Sequence, residues 1–300
     1  MTENVALPHH RTCDCPPNHI NCLSAGEWMA AQAGVWRFGY EKRDVRKKSV
    51  HPATYPIALA RRCVELFTHR GELVLDPFVG SGTTLVAAQD CDRNALGCDL
   101  NPAYIDLCAQ RLDQGKLPLE GCCGQIAVLG DARGAAGLVE SETVALILTS
   151  PPYANCLNRR RRNKSRRSED RANEQFGQVE QYSQDPADLG TLGYEDYCQA
   201  MANVFAGLLP ALRPGGHCVV NVPDIWWEDK RIALHVGVVE ALTAVGYEFR
   251  NTVIWDKTNL VNRMGIFGWP RNYIVAGVTF EYILHFRRPA QTAVREEEPC

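Results

Sequence analysis

The stretch LVLDPFVGSGTT, residues 73–84, contains the features that decide the fold of this chain. It begins with a short apolar segment typical of a buried strand, and that segment ends at Asp76. Gly80 and Gly82 let the backbone turn tightly, and a helix is predicted from Thr83 to Gln89. No lysine follows the glycines, so the turn is not a P-loop. A strand, a glycine turn and a helix predict one unit of an α/β sheet protein, with a ligand at the turn.

The same alternation continues on both sides of this stretch. Further helices are predicted at 53–67, 102–112, 194–212 and 232–245, and further strands at 95–98, 125–129, 143–148, 217–222, 248–255 and 278–286, with a turn at Arg213–Gly216. Strands separated by helices form a parallel sheet that helices cover on both faces. The predicted fold class is therefore α/β, with a mostly parallel seven-stranded sheet and ligands at the carboxyl ends of the strands.

Polar residues end four successive predicted strands, at Asp76, Asp99, Asp131 and Ser150. An acid at the first end suits a cationic amino group, and Asp99 stands where nucleoside-binding sheets accept bonds from ribose hydroxyls. Asp131 can accept a bond from an exocyclic amine. Each acid alone would be an ordinary helix cap. Together they predict a pocket for an amino acid joined to a nucleoside, so the expected cofactor is S-adenosyl-L-methionine.

Four motifs, in this order, resemble those of the amino-methylating DNA methyltransferases, the N4-cytosine and N6-adenine family. They are His51-Pro-Ala-Thr-Tyr-Pro56, Asp76-Pro-Phe-Val-Gly-Ser-Gly-Thr-Thr84, Gly97-Cys-Asp-Leu-Asn-Pro102 and Thr149-Ser-Pro-Pro-Tyr153, and residues 194–287 match more loosely. The resemblance implies a Rossmann-like S-adenosylmethionine-dependent methyltransferase fold. It implies a cofactor site formed by His51, Pro52, Ala53, Thr54, Asp76, Phe78, Gly80, Ser81, Gly82, Thr83, Asp99, Leu100, Asp131 and Thr149.

The last motif directly follows the predicted strand at 143–148 and carries the expected catalytic residues, Ser150, Pro151, Pro152 and Tyr153. An exocyclic amine on a base is a poor nucleophile because its lone pair is delocalised into the ring. Ser150 Oγ and the Pro151 carbonyl can accept its N–H bonds, while the prolines fix the loop and Tyr153 offers a ring face. The base must first be flipped out of the duplex. C5-cytosine chemistry is disfavoured, since it would need a Pro-Cys pair here.

Serine at the first position of this motif resembles the cytosine type within the family. The predicted enzyme is therefore a site-specific, cytosine-N4-specific DNA methyltransferase that acts in restriction-modification or epigenetic marking. Three alternatives stay open: an N6-adenine DNA methyltransferase, an RNA or protein amine methyltransferase, and a catalytically silent module that binds nucleic acid.

The net charge of −3 argues against indiscriminate coating of nucleic acid, but the cations are clustered. Residues 159–167 read RRRRNKSRR, and the predicted DNA contacts there are Arg159, Arg160, Arg161, Arg162, Lys164, Arg166 and Arg167. Arg263 and Arg271, in a second loop, are predicted to contact DNA as well. A run of like charge is usually a solvated loop, but its place beside the catalytic motif favours phosphate contact. The expected partner is double-stranded DNA, and a restriction endonuclease acting on the same site is a candidate partner.

These features divide the chain into an N-terminal arm (1–50), a cofactor-binding and catalytic part (51–153), a basic insert that is a candidate target-recognition region (154–193), the remainder of the methyltransferase domain (194–287) and a tail (288–300). No apolar run approaches the roughly 20 residues that span a bilayer. The polar beginning at 1–21 does not resemble a signal peptide. A cytoplasmic, nucleoid-associated protein of prokaryotic type is expected.

The thirteen cysteines are scattered and odd in number, which indicates reduced thiols rather than a disulfide scaffold. Cys13, Cys15 and Cys22, with His9, His10 and His19 nearby, have the side chains of a zinc site. They lack the paired C-x-x-C spacing of common structural zinc sites. The spacing favours a loose arm without a metal over a zinc site.

Overall fold

The computed structural model of the chain describes residues 7–45, 54–114, 123–154, 185–227, 230–260 and 279–290. Its strands are β1 (His19–Ile20), β2 (Leu23–Ser24), β3 (Val35–Trp36), β4 (Leu73–Asp76), β5 (Asn94–Asp99), β6 (Gln125–Leu129), β7 (Val144–Thr149), β8 (Leu212–Val222), β9 (Ile225–Trp227), β10 (Lys230–Ile232), β11 (Glu248–Asp256) and β12 (Phe280–Arg287). Its α-helices are α1 (Ala25–Ala31), α2 (Ile57–Phe67), α3 (Thr83–Asp90), α4 (Pro102–Asp113), α5 (Tyr194–Leu208) and α6 (Leu234–Ala244). Two 3₁₀ helices lie at Ala132–Leu138 and Leu189–Thr191.

Within the described residues, eight strands form one sheet in the order β3-β11-β12-β8-β7-β4-β5-β6. Five adjacent strands, β8, β7, β4, β5 and β6, are parallel to one another. Strand β12 runs antiparallel to both β8 and β11. The predicted α/β class and the mostly parallel sheet are confirmed. The prediction of seven strands is one short, because the two-residue strand β3 pairs with β11 at the edge.

Alternate residues of the central strands face two separate cores. Leu73 and Leu75 of β4 join one core with α5 and α6, whereas Val74 joins the other with α2 and α3. This is the two-residue period of a strand that is buried on both faces. Each fully buried Leu or Val side chain contributes about 1.5–3 kcal/mol to the stability of this arrangement. None of the helices described has the length and apolar character needed to cross a membrane.

The segment Arg213–Gly216, predicted as a turn, lies inside strand β8, and α5 ends at Leu208 rather than at 212. Its glycines form an irregularity in the strand: Gly215 has φ +74°, and the register of β7 and β8 shifts beside it. The backbone N–H of Gly215 donates to the carbonyl of Arg288 at 3.1 Å. Since β12 supplies such partners, the chain stays extended where local propensity favours a turn.

The described part of the N-terminal arm, residues 7–45, is packed against the core, contrary to the expectation of a loose arm. Helix α1 begins with a capping box, in which Ser24 and Glu27 each accept a hydrogen bond from the other's backbone N–H. Trp36 of β3 is only 5% exposed and donates from its indole nitrogen to the Ala31 carbonyl at 3.2 Å. The arm therefore completes one edge of the main sheet.

Candidate active site

A cleft with a free volume of about 630 Å³, including its mouth, lies at the carboxyl ends of the parallel strands. The predicted catalytic loop and part of the predicted cofactor site line it together. The lining residues are Pro77, Phe78, Gly80, Asp99, Leu100, Tyr104, Gly130, Asp131, Ala132, Ser150, Pro151, Pro152, Tyr153, Asp188 and Leu189.

Asp76 is turned into the protein and is not among the residues that line the cleft. Its carboxylate is 1% exposed and accepts hydrogen bonds from Thr149 Oγ1 at 2.6 Å, Thr84 Oγ1 and the backbone N–H of Phe78. Burial raises the pKa of Asp76 to about 6, although these bonds favour the charged form. Asp76 thus ties the glycine turn to the end of β7, and its contact with a ligand stays a prediction.

The glycine turn after β4 leaves no room for a side chain at Gly82. Gly82 caps α3 with φ +82°, and a Cβ there would lie 2.2 Å from Cys108 Sγ. Gly80 also has a positive φ, and its N–H donates to Asp99 Oδ2 at 2.9 Å. The turn after β4 is therefore fixed to the end of β5.

Asp99 holds the ends of three strands around the cleft. Its carboxylate accepts the N–H groups of Gly80 and Asn101, each at 2.9 Å, and its carbonyl accepts that of Gly130 at 2.9 Å. Burial raises the pKa of Asp99, while the backbone donors act in the opposite direction. A carboxylate has about four lone-pair sites, so Asp99 retains acceptor capacity toward the cleft.

Two further acids line the cleft. Asp131 caps the 3₁₀ helix that follows β6 and accepts bonds from Arg133 Nε at 2.9 and 3.0 Å. Burial alone would raise its pKa, but the Arg133 guanidinium holds the pKa of Asp131 below its usual value. Asp188, 3% exposed, caps the short helix Leu189–Thr191. Burial, together with the charges of Asp99 and Asp188, raises the pKa of Tyr104 to about 12.

The loop after β7 places Ser150 and Tyr153 in one hydrogen-bonded group. Ser150 Oγ lies 2.8 Å from Tyr153 Oη and donates to the Asn221 carbonyl at 3.3 Å. Tyr153 is 8% exposed, so its ring both packs on the core and lines the cleft. When Tyr153 donates to Ser150, the other lone pair of the serine oxygen faces only a weak 3.4 Å contact with Asn221 Nδ2, for which a donor in the cleft can compete.

A chain of buried polar side chains supports this loop from the neighbouring strands. Asn221, 2% exposed on β8, donates from Nδ2 to Glu281 Oε2 at 2.8 Å and, more weakly, to Ser150 Oγ at 3.4 Å. Glu281 in turn forms an ion pair with Lys257. Asn221 Oδ1 is buried and has no hydrogen-bond partner among the described protein atoms. The predicted catalytic loop thus rests on residues from β8, β12 and the residue that follows β11.

The side chains of several predicted cofactor residues form hydrogen bonds within the protein and do not line the cleft. Ser81 and Thr83 accept hydrogen bonds from Arg111, Thr149 binds Asp76, and Thr54 Oγ1 donates to the Val45 carbonyl at 2.9 Å. The remaining predictions lie outside the described residues. They are His51, Pro52, Ala53, Arg159, Arg160, Arg161, Arg162, Lys164, Arg166, Arg167, Arg263 and Arg271.

Sequence reasoning missed Asp188 and Tyr104 in the cleft and Asn221, Glu281 and Lys257 behind it. The segment before α5 has no hydrophobic period, so nothing marked Asp188 as different from other loop acids. Asn221 and Glu281 had a detectable signal. Each is a polar residue inside an otherwise apolar strand, and a buried polar group needs partners.

Comparison with known proteins shows what part of this arrangement is similar to. Residues 25–110 match the DNA methylase family of N6 and N4 methyltransferases. This match covers less than a third of the chain and confirms the predicted resemblance to this family. With the sheet order above, the match confirms the Rossmann-like methyltransferase fold.

The matched relatives are type II methyltransferases. The chain is 43% identical over 88 residues to M.BglI of Bacillus subtilis, which covers 29% of this chain and 24% of that protein. It is 47% identical over 93 residues to M.XycI of Xanthomonas campestris pv. cyanopsidis, 29% of this chain and 31% of that one. The chain thus matches less than a third of these relatives' lengths. Among solved structures, TrmN from Thermus thermophilus aligns with 81% of this chain and 52% of its own, at 15% identity and a TM-score of 0.49.

Proposed function

We propose that this chain is a DNA methylase that transfers a methyl group from S-adenosyl-L-methionine to the exocyclic N4 amine of a flipped cytosine in duplex DNA. One observation carries the proposal: Phe78, Gly80 and Asp99 line the same cleft as Ser150 and Tyr153. A cofactor and an acceptor base can therefore meet in one space. The family match and the names of the type II relatives support DNA as the substrate.

The described residues suit the proposed cofactor. Asp99 offers a carboxylate that already anchors three strand ends and retains lone pairs for ribose hydroxyls. Phe78 and Leu100 supply apolar walls, and Asp131 supplies an acceptor for an exocyclic amine. S-adenosylmethionine, when bound, supplies an electrophilic methyl group on a sulfonium centre.

The catalytic loop would activate the acceptor amine. As the amine lone pair attacks the methyl carbon, positive charge would develop on nitrogen, so its N–H groups become stronger donors to Ser150 Oγ and the Pro151 carbonyl. The cofactor would leave as S-adenosylhomocysteine, and the methylated amine would lose one proton to solvent. The hydrogen bonds to these acceptors are strongest in the transition state. Interactions of this kind raise the rate, whereas bonds that are equally strong in the ground state raise only the affinity. Tyr153 would hold the base by stacking, and no covalent enzyme intermediate is required.

The assay is methylation of duplex DNA by the purified chain with labelled S-adenosylmethionine, followed by mass spectrometry of the product nucleosides. We expect N4-methylcytosine. N6-methyladenine would overturn the choice of base and keep the family chemistry. Methylation of RNA or protein in place of DNA, or cofactor binding without any transfer, would contradict the proposal.

The basic insert is proposed to contact the DNA backbone. Replacing Arg159, Arg160, Arg161 and Arg162 with alanine should weaken DNA binding. It should also lower the slope of log affinity against log salt by about 0.9 for each phosphate that the protein no longer neutralises. A slope equal to that of the unmodified chain would show that the run is only a solvated loop.

A further inference from the structure

Three cysteines of the N-terminal arm meet one histidine of the core at the end of the sheet opposite the cleft. Cys13, Cys15, Cys22 and His69 place their ligand atoms within 4.8 Å of one another. His69 lies between α2 and the first residue of β4, so the cluster is next to the amino ends of the strands. The histidines near the cysteines in sequence, His9, His10 and His19, are not part of it.

The distances match the edges of a metal-centred tetrahedron. Cys13, Cys15 and Cys22 place Sγ at 3.4, 3.9 and 3.5 Å from His69 Nδ1, and the sulfurs of Cys13 and Cys22 are 3.3 Å apart. Zn–S bonds of about 2.3 Å and a Zn–N bond of about 2.0–2.1 Å give S···N edges of about 3.6 Å and S···S edges of about 3.8 Å in a tetrahedron. A disulfide would need sulfurs about 2.05 Å apart.

The backbone is arranged to bring these four side chains together. Asn21 and Cys22 both have positive φ, 51° and 72°, in the two-residue turn between β1 and β2. Such a turn is usually made by Asn-Gly, and a cysteine there carries a conformational cost that a ligand role explains. The turn directs Cys22 toward His69.

Main-chain contacts hold the other two cysteines in place. Arg11 Nε donates to the Cys13 carbonyl at 2.8 Å, and Arg11 Nη2 reaches the Cys15 carbonyl at 3.4 Å. The N–H of Thr12 donates to the Arg70 carbonyl at 2.8 Å, which fastens this part of the arm beside His69. A Cβ on Gly71 would lie 2.5 Å from the His10 carbonyl oxygen, so this approach needs glycine.

We propose that Cys13, Cys15, Cys22 and His69 bind one Zn²⁺ ion as a structural site that fastens the N-terminal arm to the core. Three thiolates and one imidazole form one of the ligand sets that zinc prefers, and four protein ligands leave no open position for a substrate. The site joins His69 to Cys13 and Cys15, which are 56 and 54 positions away in the sequence. It therefore restrains the arm that carries β3 to the sheet edge.

The direct test is metal analysis of the whole chain, purified without a histidine tag and without chelator under reducing conditions. We expect one zinc per chain by mass spectrometry of the elements. Cys13→Ser, Cys22→Ser and His69→Asn should each lower the zinc content to a small fraction of one. Cys198→Ser is the matched control, because Cys198 is a partly buried cysteine of α5 outside the cluster, and it should keep one zinc.

Cobalt replacement keeps the proposal testable if a variant fails to fold. Cobalt added to the zinc-depleted wild type should give thiolate-to-cobalt charge-transfer bands and the strong visible bands of a tetrahedral centre. A chelator should lower the melting temperature of the wild type. Wild-type protein with less than about a tenth of a zinc per chain after zinc addition would overturn the site. A Cys13–Cys22 disulfide in the reduced preparation, or equal zinc loss in Cys198→Ser, would also overturn it.

Discussion

The carboxyl ends of the central strands, called the carboxyl edge below, and their amino ends, called the amino edge, use polar residues in opposite ways. At the carboxyl edge, Asp99 and Asn221 hold loops in place and still have oxygen atoms with spare acceptor capacity, such as the buried Asn221 Oδ1, which has no partner among the residues that the structure describes. At the amino edge, polar groups satisfy one another. Asn94 bonds both the Gly71 carbonyl, at 2.7 Å, and the Gly124 N–H, at 2.8 Å. The difference teaches that the same strands position the candidate site at one end and stabilise the fold at the other.

Two residue pairs make this comparison testable. Ser141 precedes β7 and Ser150 follows it, while Asn94 begins β5 and Asn221 lies near the end of β8. Substitutions at the carboxyl edge should change the rate or the affinity of the folded protein, whether or not they also lower its stability. Substitutions at the amino edge should change stability and leave the activity of the folded protein intact.

The largest expected effect is on the chemical step. Ser150→Ala should lower single-turnover methyl transfer by about 10² or more, because it removes a positioned acceptor that acts mainly in the transition state. Binding of S-adenosylmethionine, measured by calorimetry, should be almost unchanged. Ser141→Ala is the control at the other end of β7, where Oγ donates to the Pro210 carbonyl at 3.0 Å. A rate for Ser150→Ala near that of Ser141→Ala would remove Ser150 from the mechanism.

The next effect is on cofactor affinity. Asp99→Ala should weaken binding of S-adenosylmethionine by about 1.5–3 kcal/mol, or about 10- to 150-fold, since a charged acceptor for the ribose is removed. The affinity of Asp99→Asn for S-adenosylmethionine should lie between those of Asp99→Ala and the wild type, because one acceptor oxygen remains. Asp106→Ala, at an exposed position on α4, is the control and should bind like the wild type. Calorimetry that gives one affinity for all four proteins, with intact thermal transitions, would place the ribose elsewhere.

A smaller effect on rate should follow from removal of the support behind the loop. Asn221→Ala removes the link between Glu281 and Ser150, so the serine is held less firmly, and we expect kcat to fall about tenfold with KM for the cofactor unchanged. Asn94→Ala should instead lower the free energy of unfolding by about 1–3 kcal/mol, because buried partners lose their bonds.

Rate and stability separate these two asparagines. Denaturant unfolding and single-turnover rates are measured on both variants under the same conditions. If Asn221→Ala loses only stability, then Asn221 is a structural residue like Asn94, and the proposed support of the catalytic loop is wrong.

Sequence reasoning succeeded where chemistry and position coincide along the chain. The apolar runs predicted most strands of the sheet, and the residue after each strand indicated Asp99, Asp131 and Ser150, because parallel strands deliver their ends to one edge. It did not distinguish an acid that faces the cleft from Asp76, which faces inward. That choice depends on Thr84 and Thr149, which come from two other segments.

The misses share one physical cause, which is contact between distant segments. His69 belongs with Cys13 only because the arm folds back on α2, and sequence spacing carries no sign of it. The glycines of Arg213–Gly216 favour a turn locally, but β12 provides hydrogen bonds that keep the strand extended. Local pattern therefore predicts elements and their ends, whereas tertiary pairing decides which side chains meet.

The smallest effect concerns stability in acid at the amino edge. His217 and His285 lie 3.0 Å apart between Nδ1 and Nε2 and pack on Phe67. Burial lowers the pKa of His217 to about 3 and that of His285 to about 4, with nearby cations acting in the same direction. Because the unfolded chain binds protons first, near pH 6.5, the folded state should lose stability as the pH falls from about 6.5 toward 4.

Replacing one histidine tests this dependence. His285→Gln can still hydrogen-bond to His217 but takes up no proton in this window, so the slope of unfolding free energy against pH should fall by up to about 1.4 kcal/mol per pH unit. Asp76, with a pKa raised to about 6 by burial, contributes a slope of opposite sign between about pH 4 and 6. That slope is common to both proteins and cancels in their difference. His10→Gln, at an exposed imidazole, is measured alongside as the control substitution. Equal slopes for His285→Gln and the wild type in denaturant unfolding at pH 5–7 would show that the pair does not titrate on unfolding. The amino edge would then lack the acid sensitivity that sets it apart from the cleft.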